Sequence, residues 1–216
     1  PGEIVTVFDG RGWEYRVQLL ERGSSGSLKG QILDREFRDR ESPFKLALVQ
    51  GIAKGEKMDT IIQKAVEIGI DSIHPVITEH TVVQLEGPKR QQRQERWQEI
   101  SRQACKQCHR NYVPPVFPLV NMESFLEQHA SQPILMLYEG EQKCTLKQVL
   151  QNELLPRQEQ PWYLMVGPEG GFSKREAALA RVKGVLLAGL GPRILRTETA
   201  GLIAAGIILY ELGDLG

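Results

Sequence analysis

From Lys45 onward, apolar runs fit for burial on both faces alternate with segments of helical period. The runs are KLALVQGI (45–52), SIHPVI (72–77), PILMLY (133–138), WYLMV (162–166) and VLLAG (185–189). Between and after them lie EKMDTIIQKAVEIG (56–69), a long polar stretch over 88–108, TLKQVLQ (145–151) and an apolar segment over 198–212. In the first of these, Met58, Ile61, Ile62, Ala65 and Ile68 fall at helical spacing and the pattern stops at Gly69. Strands apolar on both faces need helices on both sides, so the pattern predicts an α/β domain with a mostly parallel sheet.

The first 41 residues read differently. EIVTVFDG, WEYRVQLLE and a run near KGQILD alternate in strand fashion, with Gly-Ser turn residues at 23–27 and no helix signal. They suggest a small β-barrel or part of one. The charged RDRESPF (38–44), ending near Pro43, marks a boundary, so 1–41 and 45–216 are expected as separate domains. The chain opens at Pro1 directly in a strand pattern, and its natural beginning is expected upstream.

Bulk properties exclude more than they assign. Lys plus Arg and Asp plus Glu both number 27, so a nucleic-acid surface would have to be local. The most apolar run, TAGLIAAGIILYELG, is too short and interrupted to span a bilayer, and no export signal is visible. Three cysteines make no disulfide framework, which favours a reducing cytoplasm.

MVGPEGGFSKRE (165–176) joins a strand to a helix through a glycine-rich loop. Ser173 and Glu176 form an S-x-x-E capping box, so the loop lies at the carboxyl end of a strand, where open α/β sheets bind ligands. It is not a phosphate loop, because the G-x-x-x-x-G-K-[ST] spacing fails. Pro168 has no N–H to offer, and Glu169 brings a negative charge. Two unit charges at about 4 Å interact by roughly 4 kcal/mol at an effective dielectric near 20, which opposes a phosphate and favours a cation. A plain strand–helix turn without a ligand is the competing reading.

LAGLGPRILRTETAG (187–201) is the second loop. Gly189 and Gly191 match half of G-x-G-x-x-G, but Ile194 stands in the third glycine's place, so a dinucleotide reading is weak. Thr197 suits an N-cap and Glu198 the first turn of the following helix. Arg193 and Arg196 precede that positive helix end and suit an RNA phosphate or a developing anion.

CKQCH (105–109) matches the c-type haem attachment pattern. Trp97, Ile100, Ala104 and Cys108 share a helix face, so Cys108 reads as an ordinary buried residue, and neither haem nor metal is expected. The same helix carries Arg102, Lys106 and Arg110 at i, i+4 and i+8. From Glu86 to Arg110 seven Lys/Arg stand against three Glu, which reads equally as a solvated face or as an RNA footprint. Asp59, Gln63 and Glu67, with Lys54 and Lys57 before them, read as solvated surface. The final helix, apolar nearly all round from Leu202 to Leu209, needs burial centrally or against a second subunit.

Four segments together resemble the RsmE-type ribosomal RNA uridine-N3 methyltransferases of the SPOUT superfamily. They are KGEKMDTIIQKAVEIGIDSIHPVITEHTVV (54–83), RWQEISRQACKQCHRNYVPPV (96–116), VGPEGGFSKRE (166–176) and LGPRILRTETA (190–200). The resemblance implies a PUA-like N-terminal barrel for RNA, incomplete here, and a SPOUT domain with a C-terminal trefoil knot. It also implies a homodimer that binds S-adenosylmethionine and methylates N3 of one uridine in 16S rRNA of the assembled small subunit. The cofactor carries a sulfonium and an ammonium, which suits a loop bearing Glu169. Gly167, Gly170 and Gly171 would let backbone approach it. Val166, Leu187, Leu190, Ile194 and Leu195 would wall it, with Gly189, Gly191 and Thr199 as further contacts. Uridine N3 must lose a proton, so Arg196, with Arg193 behind it, is expected to stabilise the anion, and Glu198 is the nearest base. Lys54, Lys57, Arg102 and Arg110 are expected to grip RNA. Two departures stand out. The N-terminal domain of the family normally starts earlier, with a strand not present here. In the long helix Lys106 stands where many members have an acidic residue, next to Cys105 where Ala is usual. The alternatives are a sister SPOUT enzyme acting on another base or a 2′-OH, and a non-catalytic RNA-binding protein.

Overall fold

The computed structural model describes residues 2–23, 26–83, 87–155 and 159–215. Part of the Gly-Ser turn at 23–27, and Glu86, lie outside the described residues. The chain divides into two units, 1–41 with 105–113, and 42–104 with 114–216.

The first unit holds three strands, β1 (Ile4–Phe8), β2 (Trp13–Arg22) and β3 (Leu28–Phe37), antiparallel in that order. All ten residues of β3 are exposed. Residues 105–113, which linear reading left with the second domain, belong here because two buried polar side chains tie them in. Asn111 Nδ2 donates to the carbonyls of Gly12 (3.1 Å) and Arg38 (2.7 Å). The Arg110 guanidinium forms a bidentate pair with Glu41, its Nε lying 3.0 Å from Oε1.

The second unit is the expected α/β layer structure. Its elements are β4 (Leu46–Gly51), α1 (Lys57–Glu67), β5 (Ser72–Ile77), α2 (Pro88–Cys108), β6 (Val120–Asn121), α3 (Met122–Gln128), β7 (Ile134–Leu137), α4 (Leu146–Val149), β8 (Trp162–Val166), α5 (Lys174–Val182), β9 (Leu186–Ala188) and α6 (Thr197–Glu211). A π-helical turn (Leu150–Leu154) extends α4. The last turn of α2, from Cys105, is already part of the first unit. β6 and α3 gave no periodic signal because two strand residues and two helical turns are too few to show one.

All strand pairs of the six-stranded sheet are parallel, in the order β6-β5-β4-β8-β7-β9. β4 is buried throughout, as strands covered on both faces must be. One face packs Val49, Met136 and Met165 against Phe125, Phe172 and Ala177. From β4 the chain proceeds outward to β5 and β6, whereas from β8 it proceeds to β9 on the opposite edge. The carboxyl ends of β4 and β8 therefore flank a topological switch point, the place where such sheets bind ligands.

Helix ends follow their caps. The Ser173–Glu176 capping box is formed: the Glu176 N–H donates to Ser173 Oγ (3.0 Å) and the Ser173 N–H to the Glu176 carboxylate (2.8 Å). α2 stops where His109 takes a left-handed φ of 61°, which breaks the i, i+4, i+8 row before Arg110. α6 packs against α1 and β8, and a Cβ on its Gly201 would lie only 3.2 Å from Val166 Cγ2.

Candidate active site

Three loops leave the carboxyl ends of β7, β8 and β9 and enclose a cleft of about 880 Å³. From the β8 loop come Val166, Gly167, Pro168, Glu169, Gly171 and Phe172. The β9 loop supplies Gly189 through Thr197, including Leu190, Gly191, Arg193, Ile194, Leu195 and Arg196. Most of the residues expected at a ligand thus meet in one cleft. The third loop, after β7, was not foreseen; Tyr138, Glu139, Glu141, Cys144 and Thr145 line the cleft. Only the parallel pairing of β7 with β8 and β9 brings it there, and that pairing has no signal in the linear sequence.

Four expected contacts fall elsewhere. Leu187 is buried in the hydrophobic core with Met136 and Val185, because alternation along β9 turns it inward. Gly170 faces His80, whose Nδ1 lies 2.7 Å from the Gly170 carbonyl, and a Cβ there would sit 2.8 Å from His80 Cβ. Since a carbonyl only accepts, that nitrogen carries the proton. Thr199 is exposed and Glu198 half-buried, and neither lines the cleft.

Thr197 does not cap α6. Arg196 occupies the cap position without a side-chain hydrogen bond, and the Thr197 hydroxyl instead donates to the Gly167 carbonyl at 2.6 Å. Arg196 and Arg193 remain exposed at the mouth of the cleft.

Charge is arranged around this mouth. Lys57 Nζ stands 3.1 Å from Glu169 Oε1 and 3.7 Å from Glu198 Oε2, and Arg196 lies 3.9 Å from Glu198 Oε1. Burial works to raise the Glu169 carboxyl, but backbone N–H groups, among them that of Lys54 at 3.0 Å, and the Lys57 ammonium outweigh it, so it is held below the usual carboxylate range. The Glu141 carboxylate is held down chiefly by the N–H of Lys143 (2.9 Å), then by that of Cys144 and by Arg181. Each of these carboxylates already has a cation, Lys57 for Glu169 and Arg181 for Glu141, so with Arg193 and Arg196 at the mouth the cleft presents both signs of charge to a ligand.

The expected RNA contacts separate. Lys57 belongs to the cleft. Lys54 is exposed, Arg102 is exposed beside Glu99, and Lys106 is exposed. Arg110 is not available to RNA: its side chain is 8% exposed and locked to Glu41. Asp59 is not solvated surface either, since it pairs with Arg96 of α2. In CKQCH the buried thiol is Cys105, pushed up to about 12 chiefly by burial, and Cys108 is only partly covered. Among the described residues no group of three or more His, Cys, Asp or Glu is placed to hold a metal, and no helix is long and apolar enough to cross a membrane.

Known proteins share this arrangement. Residues 40–209 match the RNA methyltransferase domain family. Ribosomal RNA small subunit methyltransferase E of Bacillus subtilis is 31% identical over 97% of this chain and 82% of its own length. The crystal structure of the Neisseria gonorrhoeae protein of that name, bound to S-adenosylmethionine, superposes with a TM-score of 0.90 at 36% identity over 100% of this chain and 86% of that one. A Legionella pneumophila methyltransferase in complex with the same cofactor gives 0.87 at 34% identity, over 97% and 84%. With a fold and a sequence that agree along nearly its whole length, this chain belongs to the ribosomal RNA small subunit methyltransferase E family of RNA methyltransferases.

Proposed function

We propose that this chain methylates N3 of a uridine in 16S rRNA of the small ribosomal subunit, using S-adenosylmethionine. The observation that carries the reading is the cleft at the switch point, with ionised Glu169 on one side and Arg193 and Arg196 at its mouth. Its volume suits a cofactor of that size. When bound, the cofactor supplies a methyl group activated by its sulfonium. Val166, Gly167, Glu169 and Gly171 from one loop, and Gly189, Leu190, Gly191, Ile194 and Leu195 from the other, hold it. Gly170, Leu187 and Thr199 act only through the loops they shape.

The chain's own task is to manage the proton and the charge of the uridine. Arg196, backed by Arg193, steadies the anion left when the N3 proton departs, and Glu198, outside the cleft, acts through its contacts with Lys57 and Arg196. Lys54 and Arg102 meet the RNA backbone, with residues 1–41 as part of a PUA-like module. The return of the chain from edge strand β9 to α6, packed on β8 and α1, supports a knotted C-terminal segment. Ile203, Ile207 and Tyr210 form an exposed apolar stripe on α6, which supports a homodimer through that helix. An Ile207→Asp protein sedimenting as the parent does would remove that interface. We place the enzyme in the cytoplasm with its ribosomal substrate.

The test incubates the protein with labelled S-adenosylmethionine and small subunits that lack uridine-N3 methylation, followed by nucleoside mass spectrometry. A single N3-methyluridine is expected. A different methylated nucleoside would reassign the base, and no product with no cofactor binding would overturn the enzymatic reading.

A further inference from the structure

Gln50, the penultimate residue of β4, is fully buried beneath the cleft without lining it. Its Nε2 lies 3.0 Å from Thr197 Oγ1, 2.9 Å from the Gly51 carbonyl and 3.3 Å from the Gly167 carbonyl. Thr197 is also buried, and its hydroxyl proton is committed to Gly167 O at 2.6 Å. That proton fixes the whole network: Thr197 Oγ1 can only accept from Gln50, so the amide nitrogen must face the two carbonyls and the hydroxyl. The cost falls on Gln50 Oε1, which is buried without a hydrogen-bond partner. A leucine would avoid that penalty, so the position is not optimised for packing alone.

The three residues joined here come from different parts of the site. Gly167 opens the β8 loop that carries Glu169. Thr197 is the first residue of α6 and follows Arg196 directly. We propose that Gln50 and Thr197 are positioning residues, a buried latch that makes the β8 loop and the arginine-bearing β9 loop move as one body and so presents the cofactor to the anion-stabilising side chains. The proposal rests on the assignment of this cleft to S-adenosylmethionine.

The test uses the whole chain with Thr197→Val, which keeps the shape and deletes the hydroxyl, Thr197→Ser, which restores it, and Gln50→Leu. Amide exchange is followed without cofactor at Gly171, whose N–H bonds Pro168 O, and at Thr199, whose N–H bonds Arg196 O. Calorimetry with S-adenosylmethionine is run well below the melting temperature of each variant. Thr197→Val and Gln50→Leu are expected to speed exchange at both amides together and to weaken cofactor binding by ~10-fold. Thr197→Ser should return both to the parent values. Exchange that rises only around Thr199, or parent-like affinity in both variants, would overturn the latch. If the parent itself bound no S-adenosylmethionine, the cofactor assignment would fall while paired or unpaired exchange would still decide the latch.

Discussion

Gly51→Ala is the sharpest test of the switch-point geometry, because one methyl group is aimed at the cofactor loop. A Cβ at Gly51 would lie 2.6 Å from Pro168 Cδ, 2.7 Å from Pro168 N and 3.1 Å from the Gly167 carbonyl carbon. Ordinary contact begins near 3.4 Å, so the loop must retreat by about 1 Å at its first turn. Neither neighbour is a flexible tip: one is a proline ring and the others are backbone. Overpacking of this kind costs about 1–3 kcal/mol. In a chain of this length each kcal/mol lowers the melting temperature by roughly 2–4 °C, so the variant stays folded at 25 °C. Function should suffer more, since a displacement of about 1 Å in a positioned site is worth on the order of 100-fold in rate. Calorimetry should show weakened S-adenosylmethionine binding, and methyl transfer at saturating cofactor should fall by that order. Parent-like affinity and rate in a folded Gly51→Ala protein would refute the assignment of the 167–171 turn to the cofactor.

Arg196→Ala should bind S-adenosylmethionine as the parent does and lose on the order of 100-fold in methyl transfer, and unchanged turnover would remove it from the mechanism. His74 is buried against Phe117, Phe125 and Tyr163, and burial first, then charge on His129, pull it down to about 4. The unfolded chain therefore binds this proton near the ordinary value of about 6.5 and the native state does not, so stability falls as pH drops from 6.5 towards 4. Between pH 7 and pH 5 this group alone removes about 2 kcal/mol, and urea titrations of the parent against His74→Phe should show the difference shrink by that amount. Arg110→Ala should destabilise the first unit by about 3–5 kcal/mol by stranding Glu41. Arg110→Lys should also be destabilising through loss of the bidentate pair, whereas a role in gripping RNA would spare the lysine variant's stability.

The second unit was legible because its strands are buried on both faces and some of its helix ends, the capping box of α5 above all, are written in the sequence. Val49 and Met165 could be placed in a core strand from composition alone, and Ser173 with Glu176 fixed the start of α5 in four letters. What could not be read was anything requiring strand order. Glu139, Glu141 and Thr145 reach the cleft because β7 lies between β8 and β9, and Leu187 leaves it because of its register on β9. Charged residues misled in both directions, since a lysine or arginine in a string of letters shows no partner. Lys57 turned into the cleft between two carboxylates, and Arg110 turned into a buried ion pair.

The same charges explain why the β9 loop is built as it is. Arg196 is 80% exposed and its nearest acid, Glu198, is 3.9 Å away. In water that separation is worth about 1 kcal/mol, and the same guanidinium beside an anion at an effective dielectric near 20 is worth roughly four times as much. An arginine left in solvent is therefore a poor stabiliser of a uridine anion, and becomes a good one only when the loop is covered. Ile194, 81% exposed beside it, supplies apolar surface for that cover. The half-exposed pairs of Lys57 with Glu169 and Glu198 are already formed behind the loop, while on the proposed reading the arginines meet their anionic partner only on contact with RNA. If the proposed function holds, substrate binding and anion stabilisation become one event, and methyl transfer to a uridine that does not cover the loop is disfavoured by the loss of that gain.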